Sequence, residues 1–272
     1  MSDVADILGQ SLCAFAFCWR LERRDGVTIG LTSHDRALEV AGLAYRPMPA
    51  ITPGAIELDG AGTADLADIG GGLSSAAISA VDLDAGRWDG ARMMLHLTEW
   101  AAPGVLWLEL AQGRLGDIER RDGAYSVTLR GAATLLDRPV APVTSPTCRA
   151  RLGDAACRID MRSRERIVRV AGASGDELVC EDLQPGLYPM GSVRWLTGAN
   201  CGLTQAIVDQ DGDRLFLAEP PAFAVAAGSY ARLIEGCDKR LATCAARFAN
   251  AVNFRGEPYL PGMDLLTRYP GS

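Results

Sequence analysis

Histidine, lysine and aromatic side chains are scarce in this chain of 272 residues. It contains two histidines, His34 and His96, a single lysine, Lys239, and 6% aromatic residues. Histidine is the side chain most often used as a general acid or base, so its scarcity gives little support to catalysis. We therefore expect a protein that is not an enzyme.

Long hydrophobic runs are missing as well. The longest early apolar run, residues 12–19, is too short to cross a bilayer. No basic segment precedes it and charged residues follow it, so we expect neither a secretory signal nor a membrane anchor. Eight cysteines in a chain without a leader favour a reducing compartment, in which thiols or bound metal occur rather than disulfides.

Excess negative charge is confined to the first half of the chain. Residues 1–143 carry 12 Lys and Arg against 19 Asp and Glu, a net charge of −7, whereas residues 144–272 carry 15 of each. This balance argues against general adhesion to nucleic acids, which depends on positive charge. It is compatible with a surface that DNA passes without sticking.

The first half has the sequence pattern of a β-rich domain. An Asp-Gly turn at residues 23–26 predicts one hairpin, and residues 38–45 predict another. Apolar and polar residues alternate at 92–100, and further strands are predicted at 106–110 and 125–130. A short helix is predicted near 131–136, while segments 61–67 and 74–79 are compatible with helix or strand.

Three prolines, Pro139, Pro142 and Pro146, mark a boundary. Beyond it, strand-length segments separated by turn residues predict a small barrel at about 164–235, followed by a helix at 239–248. The six segments are 167–170, 178–180, 192–196, 204–208, 215–217 and 230–234. The predicted fold class is mainly β (α+β): a β domain at 1–143, then a cysteine-clustered domain at 144–272 with the inserted barrel and a short C-terminal helix.

Four cysteines of the second half form two spaced pairs. Eight residues lie between Cys148 and Cys157, six between Cys237 and Cys244, and 79 between the inner members. A barrel between the pairs brings its own ends together, so the four sulfurs are expected to converge on one metal centre. Nearby cations favour thiolate over thiol. Those flanking the pairs are Arg149, Arg151, Arg158, Lys239, Arg240 and Arg247.

Spacing alone does not decide what these cysteines bind. Structural zinc commonly uses knuckles with two to four residues between cysteines, and the spacings here are long for that. A cubane iron–sulfur cluster also takes four cysteines, with widely varying spacing. On this ground zinc and a cluster are equally open, and buried cysteines without a ligand are the third alternative.

The other four cysteines have different surroundings. Cys13, Cys18 and Cys180 lie in apolar stretches, which is typical of core packing. Cys201 lies in a turn with glycine on both sides, and it is an alternative candidate ligand.

Several motifs outside the cysteines carry weaker signals. Neighbouring residues of a strand point to opposite faces, so His34 and Asp35 are interpreted as turn residues rather than an acid–base pair. His96 alternates with apolar residues and is expected to face solvent or a neighbouring subunit. Residues 70–72 lack the Lys and Ser/Thr of a phosphate loop and predict a flexible bend. Trp88 is expected in a core or an interface.

A set of motifs spans nearly the whole chain. The first half contains Leu-Thr-Ser-His-Asp-Arg at 31–36 and Leu-Asp-Ala-Gly-Arg-Trp-Asp-Gly-Ala at 83–91. The second half contains Ser-Pro-Thr-Cys at 145–148, Cys157, Cys-Asp-Lys-Arg-Leu-Ala-Thr-Cys at 237–244, Phe-Ala-Asn at 248–250, and Asn-Phe-Arg-Gly-Glu-Pro at 253–258. Together these motifs resemble tail hub proteins of siphophages and of the gene transfer agents of alphaproteobacteria.

The cysteine half is also similar to the C-terminal domain of the lambda-type tail tip protein. That family holds a 4Fe–4S cluster on four cysteines with this C-x8-C and C-x6-C spacing. The resemblance implies that Cys148, Cys157, Cys237 and Cys244 are the ligands of such a cluster, in preference to zinc. The insert between the two pairs is larger in this chain.

The resemblance further implies a place at a virion tail tip. Family members are homotrimers beneath the tail tube, and their first half resembles tube-forming β domains. Their neighbours are the distal tail protein, a large tail fibre or tip protein, and a cell-wall peptidase of the same tip. For this chain it implies a structural hub that joins tube to tip and lines a conduit through which DNA passes without specific binding.

Alternatives from other classes stay open. An iron–sulfur redox or electron-transfer protein would use the same four cysteines, and so would a zinc-stapled structural adaptor. A peptidoglycan hydrolase is suggested only by the tail-tip context, because the sequence contains no catalytic arrangement that supports it.

Overall fold

The computed structural model describes residues 9, 14–48, 52–53, 57–58, 64–66, 68–72, 78–121, 124–131 and 141–260. Side chains are described for these residues except within 52–72 and 117–126. The helix predicted at 131–136 lies, apart from Gly131, outside these ranges, and so does Cys13. The chain divides into two compact units, Met1–Pro139 and Val140–Ser272.

The first unit is built mainly from β-strands. In chain order they are β1 (Phe15–Glu22), β2 (Thr28–Thr32), β3 (Leu38–Val40), β4 (Leu43–Pro47), β5 (Thr52–Pro53), β6 (Glu57–Leu58), β7 (Ala64–Leu66), β8 (Asp68–Gly72), β9 (Arg92–Glu99), β10 (Leu108–Arg121) and β11 (Ala124–Arg130). Nine of them form one sheet in the order β3-β4-β2-β1-β9-β10-β11-β8-β5, while β6 pairs with β7. A short helix, α1, spans Ala80–Asp84.

Local turn chemistry accounts for the two hairpins at the start of this unit. Between β1 and β2, Gly26 has a φ of 92°, which glycine adopts without steric cost. Between β3 and β4, both Ala41 and Gly42 have positive φ, as the tight hairpin turn requires. Both predicted hairpins are confirmed, and part of the undecided segment 61–67 is a strand, β7.

One face of the sheet covers the main apolar core of the unit. Trp19, Leu31, Met93 and Leu129 are almost fully removed from solvent there. Trp88 belongs to the same core and is 1% exposed. Of the two expectations for Trp88, the structure therefore confirms the core.

The opposite face of the sheet is also covered, and the expectation that His96 faces solvent is wrong for this reason. Its side chain is 6% exposed and stacks on Trp107 with ring centroids 4.4 Å apart. Trp107 meets the edge of Tyr45, which packs with Leu38 and Cys18 in a second, smaller core. Alternation along β9 therefore separates two buried faces rather than a buried face from a solvated one.

One smaller expectation for the first unit is corrected and another is confirmed. Residues 70–72 do not bend but end strand β8, which pairs with β11 through backbone groups that glycine also possesses. His34 is a turn residue as predicted, since its Nδ1 accepts the N–H of Arg36 at 3.1 Å. Its ring nevertheless lies 3.2 Å from a carboxylate oxygen of Asp35, because the two residues occupy a bend and not a strand.

The second unit contains a closed barrel of six strands. In chain order they are β12 (Glu165–Ser174), β13 (Glu177–Cys180), β14 (Ser192–Trp195), β15 (Thr204–Asp211), β16 (Arg214–Leu217) and β17 (Tyr230–Ile234). Each predicted strand segment of this region coincides with one of them. The mainly β fold class, with a small barrel and a short helix after it, is confirmed.

Side chains of alternate residues fill the barrel. Val170, Leu178, Leu215 and Leu233 are completely buried, and each has near neighbours along its strand that are more exposed. Trp195 is also buried, and its indole Nε1 donates to Oε1 of Gln205 at 2.9 Å. A closed barrel has no free strand edge and forms one continuous core, so this part of the unit has an apolar interior of its own.

The barrel returns the chain to its starting point. Strands β12 and β17 are antiparallel neighbours, with Glu165 opposite Ile234. A 3-10 helix, Met161–Ser163, precedes β12; helix α2 (Leu241–Ala246) and the 3-10 helix Ala251–Asn253 follow β17. The predicted helix at 239–248 is present but shorter. Within the described ranges, no helix has both the length and the apolar character needed to cross a membrane.

Candidate metal centre

The four cysteines of the two spaced pairs lie around one cavity of the second unit. Their thiols are free, and all four residues line the cavity wall: Cys148, Cys157, Cys237 and Cys244. The remaining wall is mainly apolar, with a few polar or cationic side chains: Ala150, Leu152, Ile159, Lys239, Arg240, Phe248, Asn250, Asn253 and Phe254. The structure thus brings together residues that are up to 96 positions apart in the sequence.

The pairing of β12 with β17 explains why the two cysteine pairs meet. Cys157 lies eight residues before Glu165, and Cys237 lies three residues after Ile234. Because Glu165 and Ile234 are opposite one another in the barrel, the two connecting segments leave it at the same place. Folding of the barrel therefore already brings the two ends of the chain between Cys157 and Cys237 together, so metal binding bears little of the entropic cost of closing that loop.

Backbone bonds join the segment of Cys148 to that of the second pair. The Cys148 N–H donates to the carbonyl of Lys239 at 2.8 Å, and Lys239 Nζ donates to the carbonyl of Ala150 at 2.5 Å. Lys239 has a φ of 62°, a left-handed conformation that non-glycine residues seldom adopt. The lysine that the sequence marks as unique is therefore part of the frame that holds two of the cysteine segments together.

The loop that carries Cys157 is organised by Asp154. Its carboxylate accepts backbone N–H bonds from Cys157 at 2.7 Å, from Ala156 at 2.9 Å and from Arg151 at 2.8 Å. The bond from the Cys157 N–H contributes most to holding the pKa of Asp154 below its ordinary value. Asp154 lies between the paired cysteines, yet the spacing argument assigned it no role.

Cys244 is the cysteine of this site whose thiol is affected by burial and by the other three. It lies on α2 and is 8% exposed. Burial raises the pKa of its thiol, and the neighbouring Cys148, Cys237 and Cys157 raise that pKa further. Four thiolates in this cavity would repel one another, so their common ionisation requires positive charge inside the cavity.

The arginine and lysine residues that flank the cysteine pairs supply only part of the positive charge that four thiolates would need. Lys239 and Arg240 line the cavity, but Arg149 is paired with Glu257, and Arg247 with Glu235. These two arginines therefore have carboxylate partners of their own, which the sequence argument did not foresee.

Two N–H donors approach the sulfur atoms. The backbone N–H of Arg255 donates to Sγ of Cys148 at 3.3 Å. The side-chain amide of Asn250 lies 3.8 Å from Sγ of Cys157 and donates to the Cys157 carbonyl at 2.7 Å. Hydrogen bonds to ligand sulfurs are among the features that tune metal–thiolate centres. Asn250 and Arg255 belong to the C-terminal motifs singled out above, to which the sequence alone assigned no role.

Cysteine thiols are donors for both structural zinc and iron–sulfur clusters. Across the residues that the structure describes, no group of three or more His, Cys, Asp or Glu is arranged to hold a metal ion. The four cysteines are instead distributed around the cavity wall. Four thiols that line one cavity, with N–H donors beside two of them, are the kind of donor set that zinc and iron–sulfur clusters both use.

Comparison with known families assigns the first part of the chain. Residues 1–160 match the family described as "Baseplate hub protein, N-terminal attachment domain", which is more than half of the chain. The chain belongs to the baseplate hub protein family. Residues 186–264 of this hub protein match a second family, "Phage conserved hypothetical protein BR0599".

A solved structure is similar to the hub protein over its whole length. It is a chain of the "Virion of native gene transfer agent (GTA) particle", with 30% sequence identity and a TM-score of 0.80. The similarity covers 100% of this chain and 97% of that one. A comparison with curated proteins finds no match. The hub protein is thus related to a component of a phage-like particle.

The remaining described cysteines of the hub protein are not among the residues that line the cavity. Cys18 and Cys180 are buried, as predicted, and burial raises the pKa of the Cys180 thiol to about 12. Cys201, the alternative candidate, is exposed and donates from Sγ to the carbonyl of Leu196 at 3.1 Å. It is not among the residues that line the cavity.

Proposed function

We propose that this protein is the structural tail hub of a phage-like particle, either a gene transfer agent or a siphophage. The observation that carries the proposal is the similarity to a chain of a gene transfer agent virion, which spans both units at 30% identity. The match of residues 1–160 to a baseplate hub attachment domain supports the same role.

The second part of the proposal is that Cys148, Cys157, Cys237 and Cys244 hold a 4Fe–4S cluster. Support comes from their convergence on one cavity and from the N–H donors beside the sulfurs of Cys148 and Cys157. When bound, such a cluster supplies iron that replaces the thiol protons and neutralises the thiolates. The residues then tie the segments before and after the barrel to each other, so the cluster acts as a staple of the fold.

The finer features of assembly are proposed from the family resemblance. Three copies would form a homotrimer at the virion tail tip that connects the tail tube to the large fibre or tip protein, next to the distal tail protein and the cell-wall peptidase. The net charge of −7 on residues 1–143 supports a DNA conduit, because like charge keeps the phosphate backbone from adhering.

The cluster is tested by analysis of the full-length protein purified without oxygen. We expect about four iron and four acid-labile sulfide per chain, with the visible absorption of a cubane cluster. A Cys201→Ser variant is the matched control and retains both. Stoichiometric zinc without sulfide would show that the four cysteines hold zinc and not a cluster. A metal-free folded protein would contradict a metal staple of either kind.

The hub role is tested in the producing cell. Deletion of the gene is expected to abolish DNA delivery, and electron microscopy is expected to show particles with absent or incomplete tail tips. Wild-type protein supplied from a plasmid restores delivery. Normal tails and full delivery after deletion would contradict the hub role and leave the cluster to be judged by the metal analysis.

A further inference from the structure

The C-terminal end of the described chain lies against the segment that carries the first cysteine pair. Residues 250–257 follow α2 and reach back over about 100 positions of sequence to residues 145–157. Three residues of this segment, Asn250, Asn253 and Phe254, form part of the cavity wall. The segment is therefore a structural part of the cysteine site and not an appended tail.

Backbone bonds hold the segment along its length. The Arg149 N–H donates to the carbonyl of Arg255 at 2.9 Å, and the Glu257 N–H donates to the carbonyl of Ser145 at 2.8 Å. With the bond from the Arg255 N–H to the Cys148 sulfur, these contacts bracket Cys148 on both sides. Removing the segment would expose this sulfur and part of the cavity.

At the C-terminal end of the segment, the Glu257 carboxylate bonds to Ser145 and Arg149, on either side of Cys148. Its two oxygens accept from both terminal nitrogens of Arg149, at 2.7 and 2.8 Å, and one also accepts the Ser145 N–H at 2.8 Å. An exposed ion pair usually contributes little, but bidentate geometry and an added backbone bond are the favourable case. The pair joins the residue next to Cys148 to the end of the segment.

Gly256 shows how closely the two backbones approach. A Cβ atom on it would lie 2.6 Å from the Thr147 carbonyl oxygen and 2.8 Å from the carbonyl carbon. Neither atom belongs to a flexible side chain, so a larger residue forces the backbones apart. Glycine is required here for close approach and not for an unusual φ.

We propose that residues 250–257 form a clasp, closed by the Arg149–Glu257 ion pair, that retains the cluster by covering the cavity beside Cys148. The inference rests on the proposed cluster and adds residues that control its retention. Asn250, Arg149, Gly256 and Glu257 are positioning residues, since they act through the cysteine segments.

The test compares cluster release from full-length variants. Protein purified without oxygen is mixed with an excess of an iron chelator, and loss of visible absorbance gives the release rate. Glu257→Gln keeps the shape of the side chain but removes its charge, and we expect release to be about tenfold faster, as for other residues that support metal ligands. Gly256→Ala, which separates the backbones, is expected to have at least the same effect.

The matched control is Glu177→Gln. This change removes another ion pair with arginine, Arg214–Glu177 at 2.8 Å, which lies on the barrel. Release from this variant is expected at the wild-type rate. Hydrogen exchange of the loaded protein provides a second readout, because the peptide spanning residues 250–257 should exchange faster in Glu257→Gln and Gly256→Ala only.

The outcomes separate the clasp from the cluster. Iron and sulfide in the wild type, with unaltered release in both clasp variants, would overturn the clasp and leave the cluster standing. Faster release in the Glu177→Gln control as well would also overturn it, since the effect would then be general destabilisation. A wild type without iron and sulfide overturns both proposals.

Discussion

The two units of this hub protein are stabilised in different ways. In the first unit, apolar cores cover both faces of the sheet, and His96 is buried against Trp107 beside the smaller core. In the second, the barrel has an apolar core, but the segments that carry the cysteines have little more than two short 3-10 helices and a six-residue helix. These segments depend on long-range polar bonds and on whatever the cysteines bind.

The difference shows what small loops need when they have no core of their own. Lys239, Asn250 and Glu257 each bond to another segment of the site, while Asp154 bonds to backbone groups of its own loop. Such bonds contribute little each, since the same groups bond to water in the unfolded chain. A metal centre that binds only the folded form adds far more, because its binding free energy becomes folding free energy.

The largest expected effect is loss of a cysteine of the cavity. Cys148→Ser or Cys244→Ser should lose iron and destabilise the second unit by more than about 4 kcal/mol, the range in which metal loss is one of few causes. Hydrogen exchange measured by peptide should show faster exchange in 141–260 and little change in the first unit. In the control, Cys180→Ser, iron should remain, with a cost of about 1–2 kcal/mol for a buried hydroxyl. A fully stable Cys148→Ser protein would show that the cysteine segments of the second unit do not depend on a bound metal centre.

A core substitution in the first unit should produce the opposite pattern. Leu129 has no exposed surface in the main core, so Leu129→Ala should cost about 3 kcal/mol through lost burial and the cavity left behind. The iron content should be unchanged, since the cysteine site has its own supports. Chemical denaturation followed with iron analysis provides the measurement, and loss of iron in the native variant would show that the units are not independent.

A smaller effect is expected at the junction of barrel and cysteine site. Glu235 is buried and accepts from Arg164 at 3.3 Å and Arg247 at 2.6 Å, and both guanidinium groups lie over the Phe248 ring that lines the cavity. Glu235→Gln leaves two arginines without their carboxylate, and we expect about 2 kcal/mol of destabilisation, less than for a fully buried pair. The exposed pair removed by Glu177→Gln should cost about 0.5 kcal/mol or less in the same denaturation assay.

The smallest effect concerns pH and the first unit alone, since both histidines of the sequence lie there. Burial lowers the pKa of His96 below its ordinary 6.5. The unfolded chain therefore binds a proton more readily, so stability falls as the pH drops below 6.5 and is constant above it. Denaturation of the wild type between pH 8 and 5 should show this loss, and His96→Gln should reduce it. An identical pH profile in the variant would assign the loss to other groups.

Much of the fold could be predicted because its signals are local. The Asp25-Gly26 turn predicts a hairpin wherever it lies. Strand-length segments between turn residues, such as 167–170 and 230–234, predict the strands of a small barrel. The burial of His96 could not be predicted, since Trp107 and Tyr45 approach its face of the sheet from other strands. The strand at 70–72 was missed for a similar reason: its evidence is the partner β11, not its own glycines.

The residues of the candidate site differ in the same way, since some could be predicted from local sequence signals and others could not. Cysteine spacing predicted which four thiols would meet, because a closed barrel between two pairs leaves few other arrangements. The roles of Asp154, Asn250 and Glu257 had no comparable signal, since short polar motifs occur in many loops.

The order of residues by itself determined most of the strands, the turns and which distant cysteines would meet, because these follow from periodicity, turn chemistry and chain closure. Only the tertiary structure decided which face of a strand is covered, which carboxylate pairs with which arginine and which backbone N–H reaches a sulfur. Those outcomes depend on contacts between segments far apart in the chain, and small differences in distance decide whether such contacts form.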